Sequence, residues 1–336
     1  MKILFIFTGG TIGSLERGGV ADVDINVSKS LAQLCPNDDL EFASPFNMLS
    51  ENANVETLSQ LLNFMLAVDY NEFDGVIVTH GSDTLAYTSN LLGLSLGWVS
   101  KPVVITAANY VMTDPRSNAR ENIIGAVTFI EEVNRGRIPG HGVFVSWTNT
   151  GENTKIHAAS RLLEADAYSD SFTSFGNAYG EIIDGRFSAF DTKKSSVGSQ
   201  LGFLKNRKLT LRSDVLLIHS YVGLDYKNIN IDKNVKAVLL KLYHSGTSCM
   251  CGGEDDSRSF LYLAKMCKSK GVDLYITPVK SGNYIYKSAE GFKNTAAMPI
   301  YNLSEYTAYT SLLLAYALEG EERKRVIEEL MNYSSF

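Results

Sequence analysis

Residues 3–14 read Ile-Leu-Phe-Ile-Phe-Thr-Gly-Gly-Thr-Ile-Gly-Ser, a branched and aromatic run cut short by a threonine and two glycines. Apolar residues without polar alternation describe a strand covered on both faces, as in parallel sheets. In a doubly wound sheet the ligand crevice lies just past the carboxyl ends of the strands. Thr11 therefore falls at the mouth of that crevice, on backbone that Gly9 and Gly10 allow to bend sharply. The glycines do not spell a dinucleotide fingerprint, which needs G-x-G-x-x-G, nor a phosphate loop, which ends in Gly-Lys-Ser/Thr. What is left is a tight turn presenting a threonine hydroxyl, or an ordinary glycine turn from strand to loop.

The same grammar returns further on. Gly75 to Thr79, Pro102 to Ala107 and Gly142 to Trp147 read as buried strands, and Leu40 to Ser44 as a short one. Helical spacing covers about Val55 to Leu66, Leu85 to Leu96 and Arg120 to Val133, with a shorter helix from about Ser28 to Leu34. Strands alternating with helices predict a mainly parallel, doubly wound α/β sheet. Ser14 to Asp24 is polar and contains Gly18 and Gly19, a loop of the length found at active sites. The pattern fades from about Phe187 to Arg212, around the polar, small stretch Lys193 to Ser199. It resumes with strands at Asp214 to Ile218, Val235 to Leu240 and Val272 to Thr277. A helix near Asp256 to Ser269 and closing helices at Ser304 to Glu319 and Glu321 to Asn332 go with them. A chain of 336 residues exceeds what one core usually supports. The expectation is an N-terminal α/β domain over 1–190, a linker over 191–212 and a smaller C-terminal α/β domain over 213–336.

Net charge is −6 with no basic cluster, which argues against a nucleic-acid surface. No apolar stretch approaches bilayer length, and the opening run is too short for the hydrophobic region of a signal peptide. Cys35, Cys249, Cys251 and Cys267 do not form a disulfide framework, and Cys249-Met-Cys251 lacks a matching pair for a metal. They read as free thiols in a soluble intracellular protein without a membrane partner.

Four strand ends carry chemistry: Thr8 and Thr11; Ser82 and Asp83; Thr106, Ala108 and Asn109; and Thr148, Thr154 and Lys155. Parallel neighbours bring their carboxyl ends to one edge. Of the five histidines only His80 and His157 fall near them, so a metal cluster is poorly supported. Cleaving an amide needs a nucleophile, a base and donors for the oxyanion. Thr11 and Ser82 are candidate nucleophiles and Lys155 a candidate base. Burial lowers a lysine's pKa, whereas a carboxylate nearby, such as Asp83, raises it. Backbone amides after Gly9 and Gly10 are candidate oxyanion donors. Asp83 suits an α-ammonium and Ser50 an α-carboxylate. Each has a plain alternative: Asp83 caps the helix after it, Ser50 caps the helix near Val55, and Lys155 is a solvated loop residue.

Together these motifs resemble the bacterial-type L-asparaginase family, the threonine amidohydrolases that include glutaminase-asparaginases. Thr8-Gly9-Gly10-Thr11-Ile12 resembles the family's first motif, and Val78-Thr79-His80-Gly81-Ser82-Asp83-Thr84 its second, usually written His-Gly-Thr-Asp-Thr. Asn153-Thr154-Lys155 falls where the family carries its lysine, and Ser50-Glu51 where it carries a substrate-binding serine and a polar neighbour. Thr106-Ala107-Ala108 matches its third strand end. The resemblance implies hydrolysis of the L-asparagine side-chain amide by Thr11, with Ser82, Asp83 and Lys155 as a second catalytic group. It implies that Ser50, Glu51, Asp83 and Ala108 hold the substrate. It implies no cofactor, a cytoplasmic type, and a homodimer or homotetramer whose sites a neighbour completes.

This chain departs from the pattern in places. The family's second threonine is Ser82; residues 14–69 hold no tyrosine, where the family's mobile loop has one, and Glu16 or Arg17 occupies that region. The family's Ser-Asp pair is Ser117-Asn118, and Glu290 stands as the candidate acid donated by a neighbour. An amidase with another substrate, a binding homologue without turnover, and the ammonia-releasing component of a tRNA-dependent amidotransferase are the competing readings.

Overall fold

The computed structural model describes residues 1–13, 25–190, 199–279 and 286–332. The chain forms two compact units, Met1–Leu209 and Thr210–Phe336.

The first unit begins with β1 (Lys2–Phe7), the one-turn helix α1 (Gly10–Gly13), α2 (Ile25–Leu34), β2 (Asp39–Ala43) and α3 (Val55–Ala67). β3 (Gly75–Thr79), α4 (Leu85–Ser95), β4 (Pro102–Thr106), α5 (Ala119–Asn134) and β5 (Gly142–Trp147) follow. β6 (Lys155–Ala158), β7 (Gly180–Ile183) and β8 (Arg186–Ala189) complete its sheet. The order is β2-β1-β3-β4-β5-β6-β7-β8. The first five strands run parallel and the last three are antiparallel. β3, β4 and β5 are buried along their whole length, as their unbroken apolar runs require. Ile3, Phe5 and Phe7 of β1 share one core with Ile77, Val104 and Phe144 of the neighbouring strands and with Ile123, Phe129 and Ile130 of α5. α4 is buried almost all round, and a Cβ on its Gly93 would lie 2.6 Å from the Ser160 nitrogen, so only glycine lets that backbone through. α3 opens with a capping box in which Asn54 Oδ1 accepts from the Thr57 N–H at 2.9 Å and the Asn54 N–H donates to Thr57 Oγ1 at 3.0 Å.

The second unit holds β9 (Val215–His219), β10 (Ala237–Lys241), α6 (Phe260–Lys270), β11 (Asp273–Val279), β12 (Met298–Tyr301), α7 (Glu305–Tyr316) and α8 (Gly320–Asn332). Its four strands pair in parallel in the order β12-β11-β10-β9. Ser259 caps α6 through the Leu261 N–H, and Gly271 ends it with φ +65°.

Of the stretch expected as a linker, 191–198 lies outside the described residues, and Ser199–Leu209 belongs to the first unit. All four cysteines are free; Cys35 and Cys267 are buried, Cys249 and Cys251 exposed. Among the described residues no helix is long and apolar enough to cross a membrane.

Candidate active site

The strand order runs one way from β1 to β2 and the other way from β3 through β4 to β5. The reversal between β1 and β3 is where a doubly wound sheet opens its crevice. The two glycine-containing motifs leave the carboxyl ends of these two strands. Gly9 and Gly10 have φ of +107° and +77°. A Cβ on Gly9 would sit 2.1 Å from the Met48 carbonyl oxygen, and one on Gly10 2.5 Å from that of His80. The sharp turn after β1 is thus wedged between two other backbones, and no larger residue fits either place. Thr11 stands in α1 directly after this contact. The expected mobile loop Ser14–Asp24, with Glu16 and Arg17, lies outside the described residues.

The segment after β2 returns along the same turn. Met48 N donates to Thr8 O at 3.1 Å, and Gly9 and Met48 form a parallel bridge. That rung carries Ser50 to the end of β3. Ser50 is 5% exposed, and its hydroxyl donates to Asp83 Oδ2 at 2.9 Å. The Thr84 hydroxyl donates to the Ser50 carbonyl at 3.0 Å. A Cβ on Gly81 would lie 2.4 Å from Ser50 Cβ and Oγ, so the two segments touch with nothing between them. These contacts resolve two alternatives left open by the sequence. The helix near Val55 is capped by Asn54, not Ser50. The N-cap of α4 is Thr84, and Asp83 turns its carboxylate to Ser50 instead. Ser82 is half-buried, while Asp83 and Glu51 are exposed.

Hydrogen bonds lace the strand ends together. Thr8 Oγ1 donates to Thr79 O at 3.0 Å, His80 N to Thr106 O at 2.8 Å, and Thr106 Oγ1 to Ser146 O at 3.0 Å. Thr8 and Thr106 therefore hold the edge in shape. His80 is buried; a carbonyl only accepts, so its Nδ1–H donates to Gly81 O at 2.8 Å, and Nε2 takes the Thr88 hydroxyl at 3.1 Å. Burial lowers its pKa, which fits this neutral form. The ring thereby fixes the Gly81-Ser82-Asp83 segment from behind.

Beyond β4 two asparagines hold the edge. Asn122, fully buried, donates to Ala107 O at 2.8 Å and accepts from Thr148 N at 2.7 Å. Asn118 donates to Thr148 O at 2.9 Å and accepts from Asn109 N at 3.1 Å, while Asn109 Oδ1 accepts from Asn118 N at 3.0 Å. A carboxylate at 118 has no proton for the Thr148 carbonyl, so the departure Ser117-Asn118 carries a structural bond of its own. Ala108 is fully buried beside this network.

Lys155 is the first residue of β6, opposite Trp147 at the end of β5, so it stands on the same sheet edge as Ser82 and Asp83. The ends of β4 and β5 lie between them in the strand order. Its side chain is 29% exposed and pairs with Glu152, not with Asp83, the carboxylate expected beside it. It is therefore neither a fully solvated loop residue nor in contact with the Ser-Asp pair. Lys155 holds the Glu152 carboxyl below the usual carboxylate range. Thr148 and Thr154 share a hydroxyl bond of 2.7 Å at the base of this loop. His157 is 1% exposed; its Nδ1 meets Ser174 Oγ at 2.8 Å, and its Nε2 has no partner among the described residues. Burial pushes its pKa down to about 4. Sequence reasoning does not single out Glu152 or Asn122 as site residues and meets Asn118 only as a departure from the family's Ser-Asp pair; the charge pair at i, i+3 is the one local signal for Glu152. Glu290 is exposed in the second unit. Among the described residues no group of three or more His, Cys, Asp or Glu gathers as a metal site.

Residues 2–194, more than half of the chain, match the family profile described as Asparaginase, N-terminal. The chain belongs to the asparaginase family. An asparaginase relative from Thermococcus kodakarensis, named L-asparaginase, is 33% identical over 133 residues, 38% of this chain and 40% of that protein. That alignment thus spans about two fifths of the relative's length. A longer match, 24% identical over 334 residues, covers 94% of this chain and 72% of a glutamyl-tRNA(Gln) amidotransferase component from Methanosphaera stadtmanae. Among solved structures, one titled as a probable cytoplasmic L-asparaginase from Campylobacter jejuni aligns with TM-score 0.74 at 21% identity, over 99% of both chains. That likeness establishes the asparaginase fold for both units' strand and helix order.

Proposed function

We propose that this asparaginase-family chain hydrolyses the side-chain amide of L-asparagine to L-aspartate and ammonia. The observation that supports it best is the meeting, at the β1/β3 reversal, of the turn bearing Thr11 with the Ser82-Asp83 segment that Ser50 already clamps. In this reading the Thr11 hydroxyl attacks the amide carbon. The C–N bond breaks, and the proton given up by the Thr11 hydroxyl ends on the leaving nitrogen, which departs as ammonia. Water hydrolyses the aspartyl ester left on Thr11, its oxygen going to aspartate and one proton back to the Thr11 oxygen. Ser82, Asp83 and Lys155 form the second catalytic group, with Lys155 as its base. Asp83 receives the α-ammonium and Ser50 the α-carboxylate, with Glu51 and Ala108 as further substrate contacts. Binding then exchanges the Ser50–Asp83 bond for bonds to the two ends of the amino acid. The reading includes no cofactor, a homodimer or homotetramer, and a cytoplasmic setting.

The test is ammonia release from asparagine by purified protein, with Thr11→Ala as the control. Turnover lost in Thr11→Ala is the expected result; no release above that control rejects the proposal. The match to an amidotransferase component along nearly the whole chain favours a second reading, an amidase for another amide. One methylene separates asparagine from glutamine, a difference of about 1–3 kcal/mol in a pocket. A panel of L-asparagine, L-glutamine, D-asparagine and a peptide amide separates the readings. The highest kcat/KM for L-asparagine is expected, and a different winner replaces the first reading with the second.

A further inference from the structure

The loop from Thr148 to Lys155 is built around a carboxylate. Glu152 Oε2 accepts from Lys155 Nζ and, at 3.4 Å, from Asn149 Nδ2. Asn149 is 6% exposed and pairs with main chain in both directions: Nδ2 donates to Phe172 O at 3.1 Å, and Phe172 N donates to Oδ1 at 3.0 Å. Glu152 N closes the turn on Asn149 O at 3.1 Å. An ordinary surface ion pair must freeze two long side chains and stabilises little. Here the carboxylate is held from behind by a buried amide whose own partners are backbone, so much of that ordering is built into the loop.

We propose that Glu152 is the positioning residue for Lys155: it aims the amine along the sheet edge and stabilises the ammonium formed when the amine takes up a proton. This rests on the reading of Lys155 as a base. An amine that accepts a proton becomes a cation, and an adjacent carboxylate favours that form. A fixed direction also limits the amine to one approach, which a reaction rate feels directly. Other charges near Lys155 are placed differently. Glu181 of β7 is its register partner and accepts from Asn153 Nδ2 at 3.3 Å. His157, two residues along β6, is buried and neutral above about pH 4. β5 presents Trp147, and α5 meets this loop through the uncharged Asn122 and through Gly125 against Thr154.

The experiment compares the full-length chain with Glu152→Gln and Glu152→Asp. Two quantities are read: kcat and KM for asparagine, taken separately, and the NMR relaxation of Lys155 Cε in protein labelled at lysine, which reports how tightly the side chain is held. In Glu152→Gln the Cε order parameter falls toward that of a freely rotating lysine, and kcat falls by about tenfold with KM held within about twofold. Glu152→Asp keeps the charge and recovers most of both. An order parameter unmoved in Glu152→Gln, whatever kcat does, overturns the proposal. If the wild-type chain releases no ammonia, the amidohydrolase reading fails by itself. The Lys155 relaxation then still decides: a loosened side chain in Glu152→Gln supports the hold on the amine, and an unmoved one ends it.

Discussion

His157 shows what one buried side chain does to the whole. Its pKa is about 4 in the folded chain against about 6.5 when solvated. Between those values the unfolded chain binds a proton that the folded chain does not, so stability falls as pH drops from about 6.5 to 4 and is fully present above that window. The expected loss is on the order of 3 kcal/mol, because each pH unit of displacement corresponds to about 1.36 kcal/mol. Urea unfolding at pH 7 and pH 4 measures it, and His157→Gln flattens the difference; an equal fall in both proteins contradicts the assignment. Which residues carry chemistry is legible in the sequence one by one. Their partners are not, because partners depend on strand order and loop path. Ser50 and Asp83 are 33 positions apart and meet where the chain after β2 returns along the first turn, Met48 pairing with Gly9. Thr8 and Thr106 look like site hydroxyls and instead tie neighbouring strands. Glu152, three residues from Lys155, is the carboxylate that pairs with it, where motif reasoning points to the more distant Asp83.

At the scale of elements, the turn after β1 and the turn after β3 act as one unit, and glycine is the reason. Gly81 leaves room for Ser50 at a separation no Cβ tolerates. Gly81→Ala is expected to cost about 1–3 kcal/mol in unfolding free energy, as overpacking does. By displacing Ser50 from Asp83 it is expected to lower kcat/KM by about 10²-fold. Gly202→Ala, where the new Cβ would meet Trp98 at an ordinary 3.8 Å, leaves both near wild type. Equal effects of the two substitutions contradict this account. The strands that flank the site, β1, β3, β4 and β5, are legible because each is an unbroken apolar run. β6, β7 and β8 are not: each is four residues long and antiparallel, and β6 places buried His157 where an apolar residue would have signalled a strand. β12 contains Pro299, a residue that argues against a central strand and is tolerated here at the sheet edge.

At the scale of the molecule, a doubly wound order follows from the alternation of strands and helices, but its reversal point does not, since strand order is not written in local pattern. The order β2-β1-β3-β4-β5 puts both motifs beside one crevice, and that is what turns two ordinary glycine turns into a candidate active site. Nothing in this arrangement depends on the net charge of −6, which bears on solubility and partners rather than on the fold. The account places the reacting hydroxyl on the first of the two turns and gives Ser82 a supporting part. Acid-quenching the protein during asparagine turnover, followed by peptide mapping by mass spectrometry, tests that division most directly. The account predicts an aspartyl ester on the peptide carrying Thr11 and no turnover in Thr11→Val. An aspartyl ester on the Ser82 peptide, or turnover that survives in Thr11→Val, contradicts it.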